Sequence, residues 1–222
     1  MIIKTHNTTD QVYNEILQKI ISLELPPGTS LSRQELVQEF GVSKTPIREA
    51  LLRLELDGLV TIYPQAKTVV TKINIDEIKD ANFLRTALEV EIVRKLVKKS
   101  NPEIIKKLRQ NLEGQKALMN VPSQMQTFFQ LDRQFHEILF ESVNQKKLHK
   151  YVSADIEHRI RAVILEFPKK GKLDYIYNEH KNITDAIESK NEATAENTMR
   201  EHLNSIENRI EEIKKDKPEY FI

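Results

Sequence analysis

The sequence predicts a mostly α-helical chain, with a small N-terminal unit of three short helices and a β-hairpin followed by an all-helical bundle. Three observations predict it. Glycine and proline crowd the first third, where Pro26, Pro27, Gly28, Gly41, Pro46, Gly58 and Pro64 all precede residue 75. Two short β-prone runs, Leu59 to Tyr63 and Thr68 to Lys72, flank Pro64-Gln65-Ala66-Lys67 and read as a hairpin. Beyond residue 75 apolar residues recur at helical spacing over long stretches with few breakers. The change of punctuation places a domain boundary near Ile73 to Asp76, with domains at 1–73 and 76–217.

The composition limits the function classes. An apolar fraction of 39% suffices for packed cores, and 30% charged residues indicate a helix-rich polar surface. Without cysteine, disulfides and thiolate metal sites are excluded, so any metal must take nitrogen and oxygen ligands. No run approaches the roughly 18 apolar residues of a membrane span, which makes the cytoplasm the expected compartment. The net charge of +1 carries no basic excess, so any nucleic-acid affinity must come from a local arrangement.

In chain order, the first helix is expected over Thr9 to Leu23, with Val12, Ile16, Ile20 and Leu23 on one buried face. Pro26-Pro27-Gly28 stops it. Ser32-Arg33-Gln34-Glu35 has capping-box spacing and starts a short helix ending at Phe40, where Gly41 suits a left-handed cap. Thr45-Pro46 opens a third helix that ends near Asp57-Gly58. Three short helices and a hairpin make a winged helix-turn-helix. The second domain reads as six helices, near Asp76 to Lys99, Pro102 to Met119, Ser123 to Val143, Lys146 to Phe167, Leu173 to Ser189 and Glu192 to Lys215.

The third helix carries DNA-reading chemistry. Val42, Ile47, Leu51, Leu54 and Leu59 can bury, which leaves Ser43, Lys44, Thr45 and Arg48 at an exposed N-terminal end. Free amides and hydroxyls there suit phosphate, and an arginine can pair with guanine in two hydrogen bonds. The bland alternative makes Lys44 and Arg48 solvated charges and Ser43 and Thr45 caps. Arg53, deeper in the helix, reads as structural. From Gly41 to Val60, together with Pro26-Pro27-Gly28 and Leu31, the chain resembles the GntR family of bacterial regulators. The resemblance implies DNA contacts by Lys44 and Arg48, register set by Ser43 and Thr45, and contacts from Arg33 or Gln34 on the second helix. The wing departs from the family pattern, with Ala66-Lys67 where arginine and glycine are usual. Lys67 is left as a phosphate contact or an ordinary turn lysine.

In the second domain, Asp132 and His136 lie four apart and share a helix face, while His180 and His202 fall on two later helices beside apolar positions. The Asp-His pair alone is a weak signal and reads first as a surface hydrogen bond. With Arg85-x-x-Leu88-Glu89, Ile183, Ala186, Ile187, Ala195, Met199 and Leu203, these residues resemble the helical effector-binding (FCD) domain of the FadR-like branch of that family. The resemblance implies a divalent metal held by Asp132, His136, His180 and His202. Such a donor set suits Zn2+ and also Ni2+ or Mn2+. Arg85 is either an anion partner for the effector or a helix-surface partner of Glu89. His6, His149 and His158 read as surface residues. Asn144-Gln145 stands where the family has glycine and asparagine, and Asn144 suits a left-handed cap.

Together these readings describe a homodimeric transcriptional regulator, expected to be a repressor. It would bind operator DNA and respond to a small organic or sugar acid whose carboxylate completes the metal shell. Two alternatives stand beside it: a metal-dependent hydrolase or lyase with a DNA-binding module, and a dimeric DNA-binding protein with no effector.

Overall fold

The computed structural model describes residues 8–99, 101–152, 160–165 and 173–222. The chain divides into two compact units, one of Met1–Ile75 with Lys214–Ile222, the other of Asp76–Ile213. The mostly helical class with a small sheet is as the sequence predicts.

In the first unit, α1 (Thr8–Ile21) buries Val12, Ile16 and Ile20 against α3 (Lys44–Leu56), which buries Ile47, Ala50, Leu51 and Leu54. The first helix is shorter than expected. Leu23 lies beyond its end in a left-handed conformation (φ 61°) and is only half-buried, because the chain has already turned toward Pro26. In α2 (Arg33–Phe40) the Ser32 hydroxyl accepts the Glu35 N–H, and Gly41 closes the helix at φ 63° by donating to the Val37 carbonyl. The hairpin forms as β2 (Val60–Ile62) and β3 (Thr68–Val70), pairing Val60 with Val70 and Ile62 with Thr68. One strand escapes the sequence reading: β1 (Ser30–Leu31) adds to β3, giving the antiparallel order β1-β3-β2. Two residues carry too little pattern to be recognised. The C-terminal end also joins this unit. Phe221 forms a parallel bridge with Ile73, whose N–H donates to the Tyr220 carbonyl at 2.8 Å.

In the second unit, α4 (Ile75–Lys99), α5 (Pro102–Leu118) and α6 (Met125–Ser142) lead into α7 (Lys146–Val152). Asn101 caps α5 by accepting the Ile104 N–H at 3.0 Å, with Pro102 in the first turn. The helix expected over Lys146 to Phe167 is seen at Lys146–Val152 and at 160–165; the rest of that span lies outside the described residues. Asn144 takes the expected left-handed conformation at φ 60°. Next come α8 (Asp174–Glu188) and α9 (Glu192–Asn204).

The long last helix predicted from Glu192 to Lys215 is broken, and α10 begins only at Glu207 (Glu207–Asp216). A tertiary contact holds the break. Buried Asn82 on α4 donates its amide to the Leu203 backbone carbonyl and to the side-chain Oε1 of Glu207, both at 2.8 Å, and so bridges the end of α9 and the start of α10. The core of this unit gathers Val93, Leu96, Leu108, Phe135, Leu139, Ile183, Met199 and Leu203.

Replacing Asn82 by alanine should therefore lower stability by about 1–3 kcal/mol, the cost of leaving a buried carbonyl unsatisfied. Urea unfolding followed by helical circular dichroism would show it as a lower midpoint.

Candidate metal centre and nucleic-acid interface

Five helices of the second unit converge on three imidazoles. His136 and Asp132 stand one turn apart on α6, His180 on α8 and His202 on α9, and all four are buried. One ligand atom from each lies within 4.8 Å of the others. His202 Nε2 is 3.2 Å from His136 Nε2 and 3.3 Å from His180 Nε2, and Asp132 Oδ1 is 3.6 Å from His180 Nε2. Phe135 stacks on the His180 ring at 4.1 Å and fixes its plane.

The opposite edges of the rings determine which nitrogen carries the proton. His136 Nδ1 lies 2.6 Å from Glu89 Oε2, His202 Nδ1 2.8 Å from Glu179 Oε2, and His180 Nδ1 2.9 Å from Gln115 Oε1. Ionised carboxylates only accept, so His136 and His202 donate through Nδ1. The Gln115 amide is oriented by its own donation to Asn111 Oδ1 at 2.7 Å, and Asn111 in turn donates to the Leu131 carbonyl at 3.0 Å. Its oxygen therefore faces His180, which donates as well. Each Nε2 is left as a lone pair, and that of His202 faces both of the others. Lone pairs at this separation in a buried site repel unless a cation lies between them. The residues thus fit a divalent ion with three nitrogen donors and one carboxylate oxygen.

Arg85 matches neither of its sequence readings in full. It pairs with Glu89 through Nε at 2.7 Å, yet both side chains are buried, so this is not a helix-surface pair. Its Nη1 is buried without a hydrogen-bond partner. Gln115, Asn111 and Glu179 were not singled out by sequence. Only Glu179 carried a signal, as the carboxylate adjoining His180. His149 is half-buried against Phe140, ring centroids 5.5 Å apart, rather than a surface residue, and burial holds its pKa below the usual histidine value. His6 and His158 lie outside the described residues.

In the first unit, Ser43, Lys44, Thr45 and Arg48 are exposed at the start of α3. Ser43 occupies the N-cap position but makes no capping hydrogen bond through its side chain. Arg33 and Gln34 line a groove of about 330 Å³ with Tyr63, Gln65 and Lys67, so the start of α2 and the wing meet there, away from the α3 cluster. Gln65 turns the wing at φ 56°. Arg53 is held by Asp10 and lies 4.2 Å over the Tyr13 ring, tying α3 to α1.

Removing Arg85 alone should leave Glu89 as an uncompensated buried charge. Arg85→Met is expected to cost about 3–5 kcal/mol, and adding Glu89→Gln should recover part of it. Thermal unfolding of both variants, metal-free, checks this.

Comparison with known proteins places these features. Residues 8–70 match the family model described as bacterial regulatory proteins, gntR family, and residues 80–205 match the FCD domain. An uncharacterised HTH-type transcriptional regulator of Streptomyces ambofaciens is 32% identical over 95% of this chain and 88% of its own length. The gluconate operon transcriptional repressor of Bacillus subtilis is 25% identical over 93% and 86%. The crystal structure of a putative GntR transcriptional regulator from Rhodococcus sp. RHA1 superposes with a TM-score of 0.76 at 18% identity, covering 93% of this chain and 99% of that one.

Proposed function

The chain belongs to the GntR family of bacterial regulatory proteins and carries an FCD domain, and from that premise we propose that it is a metal-dependent, acid-sensing repressor. That it is a DNA-binding transcriptional regulator with an effector domain follows from the family; its relatives are regulators, and the hydrolase or lyase alternative is set aside. The observation that carries the finer reading is the convergence of three imidazole lone pairs, each fixed by a partner on Nδ1.

In this reading residues 1–73 bind the operator and residues 76–217 sense. Asp132, His136, His180 and His202 hold a divalent ion, Zn2+ in the first instance, with Ni2+ or Mn2+ as alternatives. When bound, the ion offers a Lewis-acidic seat for a ligand oxygen. Arg85, with Nη1 unpartnered, supports an anionic effector, and the named target of the Bacillus subtilis relative, the gluconate operon, supports a sugar acid. Such an effector alters operator affinity by binding one arrangement of the protein better than another. Ser43, Lys44, Thr45 and Arg48 enter the major groove, while Arg33, Gln34 and Lys67 contact phosphates from the groove they line.

A homodimer is supported by α4. Phe83 is 79% exposed and Leu84 39%, and with exposed Ala87 and half-buried Leu88 they form one apolar face suited to a two-fold contact. Among the described residues no helix is long and apolar enough to cross a membrane; the cytoplasm is the proposed compartment.

Two experiments test the proposal. Elemental analysis of chelator-free protein should find about one divalent ion per chain, lost in His180→Ala/His202→Ala; absence of metal from both leaves the dimeric DNA-binding alternative with no effector. On operator fragments selected from random DNA, Arg48→Ala should cost about 1–3 kcal/mol and relax base preference, whereas Lys44→Ala should weaken all sequences alike if it contacts phosphate. Salt-dependent binding separates these outcomes, the phosphate contact lowering the slope by about 1.

A further inference from the structure

The metal seat requires His136 to present a lone pair at Nε2, and one buried carboxylate decides whether it does. Resting on the metal reading above, we infer that Glu89 is the positioning residue that holds His136 in its metal-competent tautomer, with Arg85 holding Glu89 in place.

Glu89 is fully buried on α4, and its two oxygens are divided between two partners. Oε1 accepts from Arg85 Nε at 2.7 Å, and Oε2 lies 2.6 Å from His136 Nδ1. Arg85 stands one turn earlier on the same helix, so the guanidinium sets the rotation of the carboxylate and directs its free oxygen at α6. The imidazole must then carry its proton on Nδ1. The other two imidazoles are held differently. His180 faces the neutral amide of Gln115, and His202 faces Glu179, whose side chain is 25% exposed. Of the three partners, Glu89 alone is both ionisable and sealed from water. Its burial keeps water from competing for the carboxylate, so the Nδ1 contact at 2.6 Å holds the proton on that side of the ring.

The same contact reaches the anion seat. Arg85 spends Nε on Glu89 while Nη1 has no partner, so a carboxylate docking at Nη1 would share the guanidinium with Glu89. Metal and anion then meet in one hydrogen-bonded line through Arg85, Glu89 and His136.

The test uses the full chain with Zn2+ alone as the probe. Glu89→Gln preserves shape and keeps an oxygen for Arg85, but it turns an amide NH2 toward His136 Nδ1. Long-range proton–nitrogen correlation on metal-free protein should show His136 changing from the Nδ1–H to the Nε2–H form, with His180 and His202 unchanged. Competition against a chelator should show Zn2+ binding weakened about 10–100-fold. Because an unpaired guanidinium can prevent folding, Arg85→Met/Glu89→Leu removes both charges together with any acceptor for His136 Nδ1 and should show a loss of the same order. Folded variants with unaltered tautomer and Zn2+ affinity overturn the inference and leave the metal reading intact. A wild-type chain that takes up no Zn2+ overturns both.

Discussion

The imidazole of His202, with its Nε2 3.2 Å from that of His136 and 3.3 Å from that of His180 away from water, sets the constraint around which the second unit is arranged. Each ring is fixed from behind by a different helix or by its neighbour: Glu89 of α4 on His136, Gln115 of α5 on His180, Glu179 of α8 on His202. Burying so many polar groups is tolerable only if each finds a partner. The Asn111–Gln115 chain meets that condition by reaching a backbone carbonyl, and the Arg85–Glu89 pair balances its charges while leaving Arg85 Nη1 unpartnered. At the centre the donor set is one that a divalent cation fits.

The first unit depends on a different economy. Its core is aliphatic, with Ile16 and Ile20 of α1 against Ile47, Leu51 and Leu54 of α3. Arg53 is drawn toward Asp10 and Tyr13 on α1, which leaves the basic groups at the start of α3 exposed and chemically separate from the packing charges. A chain with net charge +1 thus carries exposed cationic groups gathered on one helix end, where placement rather than total charge sets the local field.

Much of this was legible in the sequence because the signals are local. Ser32, Gly41 and Asn101 state their caps directly, and the spacing of Asp132 and His136 places both on one face of α6. What escaped was tertiary. The break between α9 and α10 is held by Asn82, more than a hundred residues away in sequence, and no breaker in Asn204-Ser205-Ile206 announces it. Gln115 looks like any polar helix residue until α5 brings it to His180. Arg85 and Glu89 showed their i, i+4 pairing but not their burial, since the pattern of α4 alone does not tell which polar face is covered by neighbouring helices.

The most direct test of the central claim is X-ray absorption at the metal edge on protein purified without chelator. The account predicts a first shell of nitrogen and oxygen scatterers, near 2.0–2.1 Å for zinc, with the multiple-scattering signature of about three imidazoles. A bound metal showing at most one imidazole, or no metal in protein supplied with it, would contradict the assignment of His136, His180 and His202 as a common seat.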